Sequence, residues 1–216
     1  MHNRRQFVQS LIPIAMAGAT QTFSLQSLDG LTLHKVKAAP VTYKGRKAVR
    51  VTSDGSENGF ATIAGAEFQD GTIEVDLAGE PGPGAQEQAR GFTGVAFRIS
   101  PDAAKFELFY LRPTNGRADD QERRNHSAQY DSFPDYPWFR LRKETPGKYE
   151  SYVDLVPGEW TKVKISVTGV KARLYVHGSD QPTLVVNDLK LGLAKGAIGL
   201  WIGPGTVAHF SNLRVS

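Results

Sequence analysis

The chain has 216 residues, 40% hydrophobic and 22% charged, which is enough apolar material for one sizeable domain and too ordinary a composition for a disordered chain. It contains no cysteine, which excludes disulfides, thiolate metal sites and a lipid-modified cysteine. The formal charge is only +4 without a lysine-rich block, and no apolar run approaches the ~20 residues that span a bilayer; neither a nucleic-acid partner nor an integral membrane protein is expected.

The first nineteen residues read as an address. Asn3-Arg4-Arg5-Gln6-Phe7-Val8-Gln9 resembles the twin-arginine export motif, with Arg4, Arg5 and Phe7 carrying the match and Asn3, Val8 and Gln9 departing from it. An apolar segment from Leu11 to Ala19 follows, and Ala17-Gly18-Ala19 supplies the small-x-small pattern of a signal-peptidase site. The expectation is a signal peptide over residues 1–19, one domain over residues 20–216, and a periplasmic or extracellular location. Removing the leader takes two arginines and no acid, leaving 24 − 22 = +2.

Beyond the leader, short apolar runs alternate with Gly, Pro, Asn and Asp. Strands are predicted near Leu31–Val36, Lys47–Thr52, Gly71–Leu77, Phe92–Ile99, Lys105–Arg112, Ser127–Tyr130, Trp138–Lys143, Trp160–Val167, Ala172–His177, Thr183–Val186, Ala197–Ile202 and Ala208–Val215. Ile73, Val75 and Leu77 oppose Glu74 and Asp76; Val163, Ile165 and Val167 oppose Lys162, Lys164 and Ser166. No helical period stands out. Ala78–Arg90 and Pro113–Asn125 read as loops long enough to be functional. The pattern predicts an all-β, two-sheet sandwich with jelly-roll or Greek-key connections.

Three segments, FQDGTIEVDL (Phe68–Leu77), VPGEWTKVKISVTGVKARLYVHG (Val156–Gly178) and KGAIGLWIGPGTVAHFSNLRV (Lys195–Val215), resemble the concanavalin A-like lectin/glucanase superfamily. Within it they look nearest to the 3-keto-disaccharide hydrolase-type domains. The resemblance implies a concanavalin A-like jelly roll and says less about activity, because one fold hosts many. That branch usually opens with a Phe-Asp-Gly-x-x-Leu-x-Gly-Trp-like segment; here Ser27-Leu28-Asp29-Gly30-Leu31 stands alone, without a tryptophan.

The stretch Phe106–Arg142 concentrates aromatics and arginines. If Phe139 and Leu141 enter the core of a strand, Trp138, Arg140 and Arg142 share the outer face, with Tyr136 just before them. Likewise, with Phe109 and Leu111 inside, Tyr110 and Arg112 face out, and Glu107 sits at the core's edge or in a buried pair. An indole stacks on a pyranose face, and arginine's planar fork suits hydroxyls or carboxylates. Asn125, Gln129 and Tyr130 add groups for hydroxyl recognition. The expected partner is therefore a carbohydrate, anionic or hydroxyl-rich, bound by Tyr110, Arg112, Asn125, Gln129, Tyr130, Tyr136, Trp138, Arg140 and Arg142. The alternative is a glycoside hydrolase or lyase in which His126, with a near-neutral intrinsic pKa, and Glu107 transfer protons. A domain that meets another protein through the same face is a third reading.

Glu74-Val75-Asp76 with Glu80 approximates the Glu-x-Asp-x-x-Glu motif of laminarinase-type glucanases, but the third acid falls one residue late. Alternation reads Glu74 and Asp76 as solvent-facing charges. Asp119, Asp120 and Glu122 read as a solvated loop. His34, His126, His177 and His209 lack metal-ligand spacing, and no EF-hand spacing is present, so neither a metal nor a cofactor is expected.

Overall fold

Alternation along the strands leaves each with one apolar face to bury, and two antiparallel sheets bury them against each other. A computed structural model describes residues 19–53 and 57–216, so the expected leader lies outside the described residues except for Ala19. One sheet of eight strands runs β13 (Leu184–Val186), β12 (Lys171–Val176), β11 (Thr161–Thr168), β6 (Gly71–Pro81), β15 (Thr206–Val215), β4 (Arg46–Thr52), β3 (Lys37–Tyr43), with β1 (Gln21–Phe23) also pairing β15. The other, of seven, runs β10 (Glu150–Ser151), β9 (Ala128–Phe133), β8 (Phe106–Leu111), β7 (Thr93–Ile99), β14 (Gly196–Ile202), β5 (Gly59–Phe68), β2 (Leu31–His34). This is the two-sheet jelly roll that the strand pattern predicts.

The inter-sheet core takes Ile73, Val75 and Leu77 from β6, Val163, Ile165 and Val167 from β11, and Phe97, Phe109, Leu111, Ile198 and Leu200 from the facing sheet. A second apolar layer covers the far side of the seven-stranded sheet: Phe60, Ala96, Ile99, Phe106, Leu108, Tyr110 and Trp201. Strand β8 is consequently buried along its whole length, one face in each layer.

Several elements differ from the sequence expectation. Strands β3 and β5 were not predicted: β3 carries Pro40 at the edge of its sheet, and β5 (GFATIAGAEF) is rich in Ala and Gly, which dilutes a period-2 signal. Trp138–Glu144 is a helix, α2, not a strand. Pro137 precedes it and its carbonyl accepts from the Arg140 and Leu141 amides, starting the first turn. Trp138/Arg142 and Arg140/Glu144 then pair at i, i+4, and Arg142 and Lys143 stand in the last turn, where cations suit the helix dipole. With only Leu141 buried, the helix needs a single apolar anchor, whereas the strand reading required Phe139 inside as well; Phe139 is 61% exposed. The segment read as a loop at Pro113–Asn125 contains a 3-10 turn, Pro113–Asn115, and the short helix α1, Gln121–Asn125, capped by Asp120 through the Arg123 amide.

Arg98, wholly buried, ties together three connections at one end of the sandwich. It donates to the carbonyls of Gln69 (3.0 and 2.8 Å), Gly169 (2.7 Å) and Gly192 (2.6 Å), and to Asp70 (3.2 Å).

Candidate functional site

Register places one continuous row of residues across the far face of the seven-stranded sheet. His34, Phe60, Trp201, Gly94, Tyr110, Gln129 and Glu150 are successive cross-strand partners from β2 to β10. Gly94 sits between the two largest rings. A Cβ there would lie 2.1 Å from the Phe109 carbonyl oxygen and 2.6 Å from Tyr110 Cα, and without one the Trp201 and Tyr110 rings close to 4.9 Å between centroids. The neighbouring row, Thr62, Gly199, Ala96, Leu108 and Asp131, is small in the middle and ends on a carboxyl.

These rows floor a cleft of about 1420 Å³. Phe60, Phe106, Tyr110, Phe133 and Trp201 form its aromatic floor, Trp138 and Phe139 of α2 form one rim, and Gly82–Gln86, Gln88 and Ala89 with Pro204 and Gly205 form another. The sequence singled out the Ala78–Arg90 loop by length and composition; its first residues continue β6 and the rest builds this wall.

Behind Trp138 lies a buried polar network. Glu150 takes a bidentate pair from Arg142 (2.8 and 2.6 Å), contacts His126 Nδ1, and lies 3.8 Å from Arg112. Arg112 also donates to Tyr110 Oη (2.8 Å), Gln129 Oε1 (3.1 Å) and the His126 carbonyl (2.9 Å). Both guanidinium groups lie against the Trp138 ring, Arg142 at 4.8 Å and Arg112 at 5.8 Å from its centroid. Burial lowers the His126 pKa, opposed by the Glu150 carboxylate. Burial also lowers that of Arg142, but its pairing with Glu150 outweighs this and the net shift is upward. The Tyr110 phenol is held well above its ordinary value by burial.

Asp131, 2% exposed, lines the cleft beside this network. The Trp138 backbone N–H donates to it, Oδ1 has no partner, and burial raises its pKa well above the usual carboxylate range. Trp201, at 3% exposure, likewise lines the cleft with an unpartnered Nε1. Sequence reading missed both: Asp131 sits in an aromatic run where a single acid gives no pattern, and Trp201 in a strand that reads as core.

Of the residues expected to form a saccharide face, Tyr110, Arg112, Gln129, Trp138 and Arg142 converge. Others do not. On a helix, Arg140 turns away from Trp138 and Arg142; it pairs with Glu144 (2.7 Å) and lies over Tyr136, whose ring packs against the inter-sheet core. Asn125 is exposed on α1 and accepts from Gln121. Tyr130 lies in the inter-sheet core, where it donates to Glu107 (2.6 Å). Glu107 also accepts from the Leu191 amide (2.8 Å), and burial raises its pKa. Strand alternation puts Glu107 on the opposite side of β8 from Tyr110, so Glu107 and His126 do not share a site. Among the described residues no group of three or more His, Asp or Glu is placed to hold a metal ion, and no helix is long and apolar enough to cross a membrane.

No protein-family model matches this sequence, and no curated protein matches it. Solved structures do match in fold. The carbohydrate binding module CBM66 from Bacillus subtilis is 18% identical, with 87% of this chain and 96% of that one covered at a TM-score of 0.61. A lectin from Bauhinia forficata in complex with GalNAc is 12% identical, covering 92% and 98% at 0.53. The β-glucanase of Bacillus licheniformis is 13% identical, covering 93% and 99% at 0.51. The chain therefore has the concanavalin A-like jelly-roll fold of lectins and β-glucanases.

Proposed function

We propose that this protein binds a saccharide in the aromatic cleft of its seven-stranded sheet. One observation carries the reading: a cleft of about 1420 Å³ floored by stacked rings, with Trp138 held at its rim by two arginines that are themselves fixed by Glu150. Apolar ring faces with a few convergent polar groups are what a sugar's mixed surface needs. Similarity of fold to a carbohydrate binding module and a GalNAc-bound lectin is consistent with this. We further propose export, on the strength of Arg4, Arg5, Phe7 and the Ala17–Ala19 cleavage pattern.

Binding is favoured over hydrolysis by the carboxyls available. A glycosidase commonly needs two, about 5–10 Å apart, flanking the bond. Of the acids that line the cleft, Glu57 is exposed and paired with Lys35, and Asp102 is exposed and tied to Ser100 and the Ala104 amide; Asp131 alone belongs to the floor. The segments that resemble 3-keto-disaccharide hydrolase-type domains fall largely on β6, β11, β12 and β15 of the other sheet, so that resemblance supports the scaffold more than the site.

The test is a glycan array followed by calorimetry with wild type and Trp138→Ala. The expected result is binding in wild type, about 5- to 150-fold weaker in the variant because a stacked aromatic is lost, on the order of 1–3 kcal/mol. Binding that is indifferent to Trp138 would place the site elsewhere, and release of new reducing ends or unsaturated products would make the protein an enzyme.

A further inference from the structure

Among the described residues, two cleft-lining side chains each bury a polar atom without a partner: Asp131 Oδ1 and Trp201 Nε1. Buried polar atoms in native proteins are nearly always paired, so an orphan facing a cavity is a place where water or ligand completes the bonding. The two differ in kind, one a carboxyl oxygen and one an indole N–H donor, and they stand apart. Trp201 is on β14 and Asp131 on β9, three strands away, which at about 4.8 Å per strand separates their backbones by about 14 Å. Between them lie the Tyr110 ring and the small residues Gly94 and Ala96, a stretch longer than one pyranose.

Charge limits what can lie there. Among the described residues, the acids and bases lining the cleft are His34, Lys35, Glu57, Asp102 and Asp131; Lys35 is already paired with Glu57, and His34 is hydrogen-bonded to Thr62 Oγ1 (3.3 Å). Of the arginines on the expected saccharide face, Arg140 pairs with Glu144, and Arg112 and Arg142 are directed at Glu150 and lie against the indole of Trp138. A uronate or sulfated sugar would meet no unpaired cation and would approach the Asp131 carboxyl.

We infer that the cleft takes a neutral oligosaccharide of at least two residues, with a hydroxyl of one hydrogen-bonded to Asp131 Oδ1 and a hydroxyl of another accepting from Trp201 Nε1. This rests on the saccharide-binding reading above and narrows it. The Asp131→Leu variant is informative because it keeps the branched shape of the side chain and removes both oxygens, so the bond to the sugar hydroxyl is lost whichever of the two groups donates it. Trp201→Phe deletes the donor and keeps an aromatic ring.

The experiment is calorimetry with neutral gluco-, galacto- and manno-oligosaccharides of one to four residues, against tetragalacturonate and chondroitin sulfate oligosaccharides. It uses wild type, Asp131→Leu, Trp201→Phe and Trp138→Ala. Expected are a preference for neutral chains, affinity that rises from mono- to disaccharide, and about a 10- to 100-fold loss in Asp131→Leu, which leaves a sugar hydroxyl unpaired against an apolar side chain. A smaller loss is expected in Trp201→Phe. Neutral binding that depends on Trp138 but is unchanged in both other variants would overturn this inference and leave the saccharide reading standing. Preference for the anionic chains would overturn it in wild type alone, whatever the variants' folding, and absence of binding to any glycan would sink both.

Discussion

Glu150 is the counter-charge on which the polar end of the site depends, and Glu150→Ala is the perturbation that tests it. Its side chain is 2% exposed, that of Arg112 is 6% exposed, and their closest atoms are 3.8 Å apart. At an effective dielectric of about 20, a pair at that distance attracts by about 4 kcal/mol. Removing the carboxylate leaves Arg112 buried with only neutral acceptors in hydrogen-bond contact, Tyr110, Gln129 and the His126 carbonyl. The expected destabilisation is about 3 kcal/mol, the low end for breaking a buried pair from one side. In urea this moves the unfolding midpoint down by about 1–1.5 M for a slope of roughly 2–3 kcal/mol/M. Arg142→Ala should cost about 1–2 kcal/mol, since Arg142 is 32% exposed and Glu150 keeps Arg112 and His126. The double variant should cost less than the sum of the two. A loss below about 1 kcal/mol in Glu150→Ala, or one equal to that of Arg142→Ala, would refute the argument that Glu150 neutralises a buried charge.

His209, stacked on Tyr43 at 3.6 Å with Nδ1 unpartnered, has its pKa lowered by burial from 6.5 to about 4. A depressed histidine contributes stability above its unfolded pKa and loses it as pH falls toward about 4, at most about 3 kcal/mol; His209→Phe should therefore hold its urea midpoint better than wild type between pH 6.5 and 4. Glu107 has the opposite sign: its raised pKa gives stability that is full below about 4.5 and declines as pH rises through the folded value, so the wild-type advantage over Glu107→Gln should shrink with rising pH, and a pH-independent difference would contradict it. Arg98→Lys should lose about 3 kcal/mol by chemical denaturation, because one ammonium cannot serve the three carbonyls that the guanidinium fork holds; a near-neutral result would show those connections to be held by other contacts.

Local pattern carried much of the architecture. Period-2 alternation in Ile73–Val75–Leu77 and Val163–Ile165–Val167 reports which face of a strand is dry, and the same rule put Phe109 and Leu111 inside and Tyr110 on the other face. It failed where alternation was coincidental. Trp-Phe-Arg-Leu-Arg reads as a strand, but after Pro137 the same residues make a helix, because i, i+4 pairs and one buried leucine outweigh a pattern that had no neighbouring strand to bond. Nor could alternation show that the outer face of β8 is itself covered. Tyr110 and Arg112 look solvent-facing in sequence and are nearly buried, because the aromatic layer and α2 come from segments up to ninety residues away.

The sequence by itself determined that this is an all-β sandwich, since strand periodicity and turn residues are local properties that each segment carries alone. It also marked Phe106–Arg142 as the stretch where chemistry concentrates. Tertiary structure alone decided what that chemistry is: register across seven strands aligns Trp201, Gly94, Tyr110 and Gln129 in one row, and long-range pairing gives Arg112 and Arg142 to Glu150. A charge is free or spent according to its neighbours in space, and those neighbours are set by register rather than by spacing along the chain.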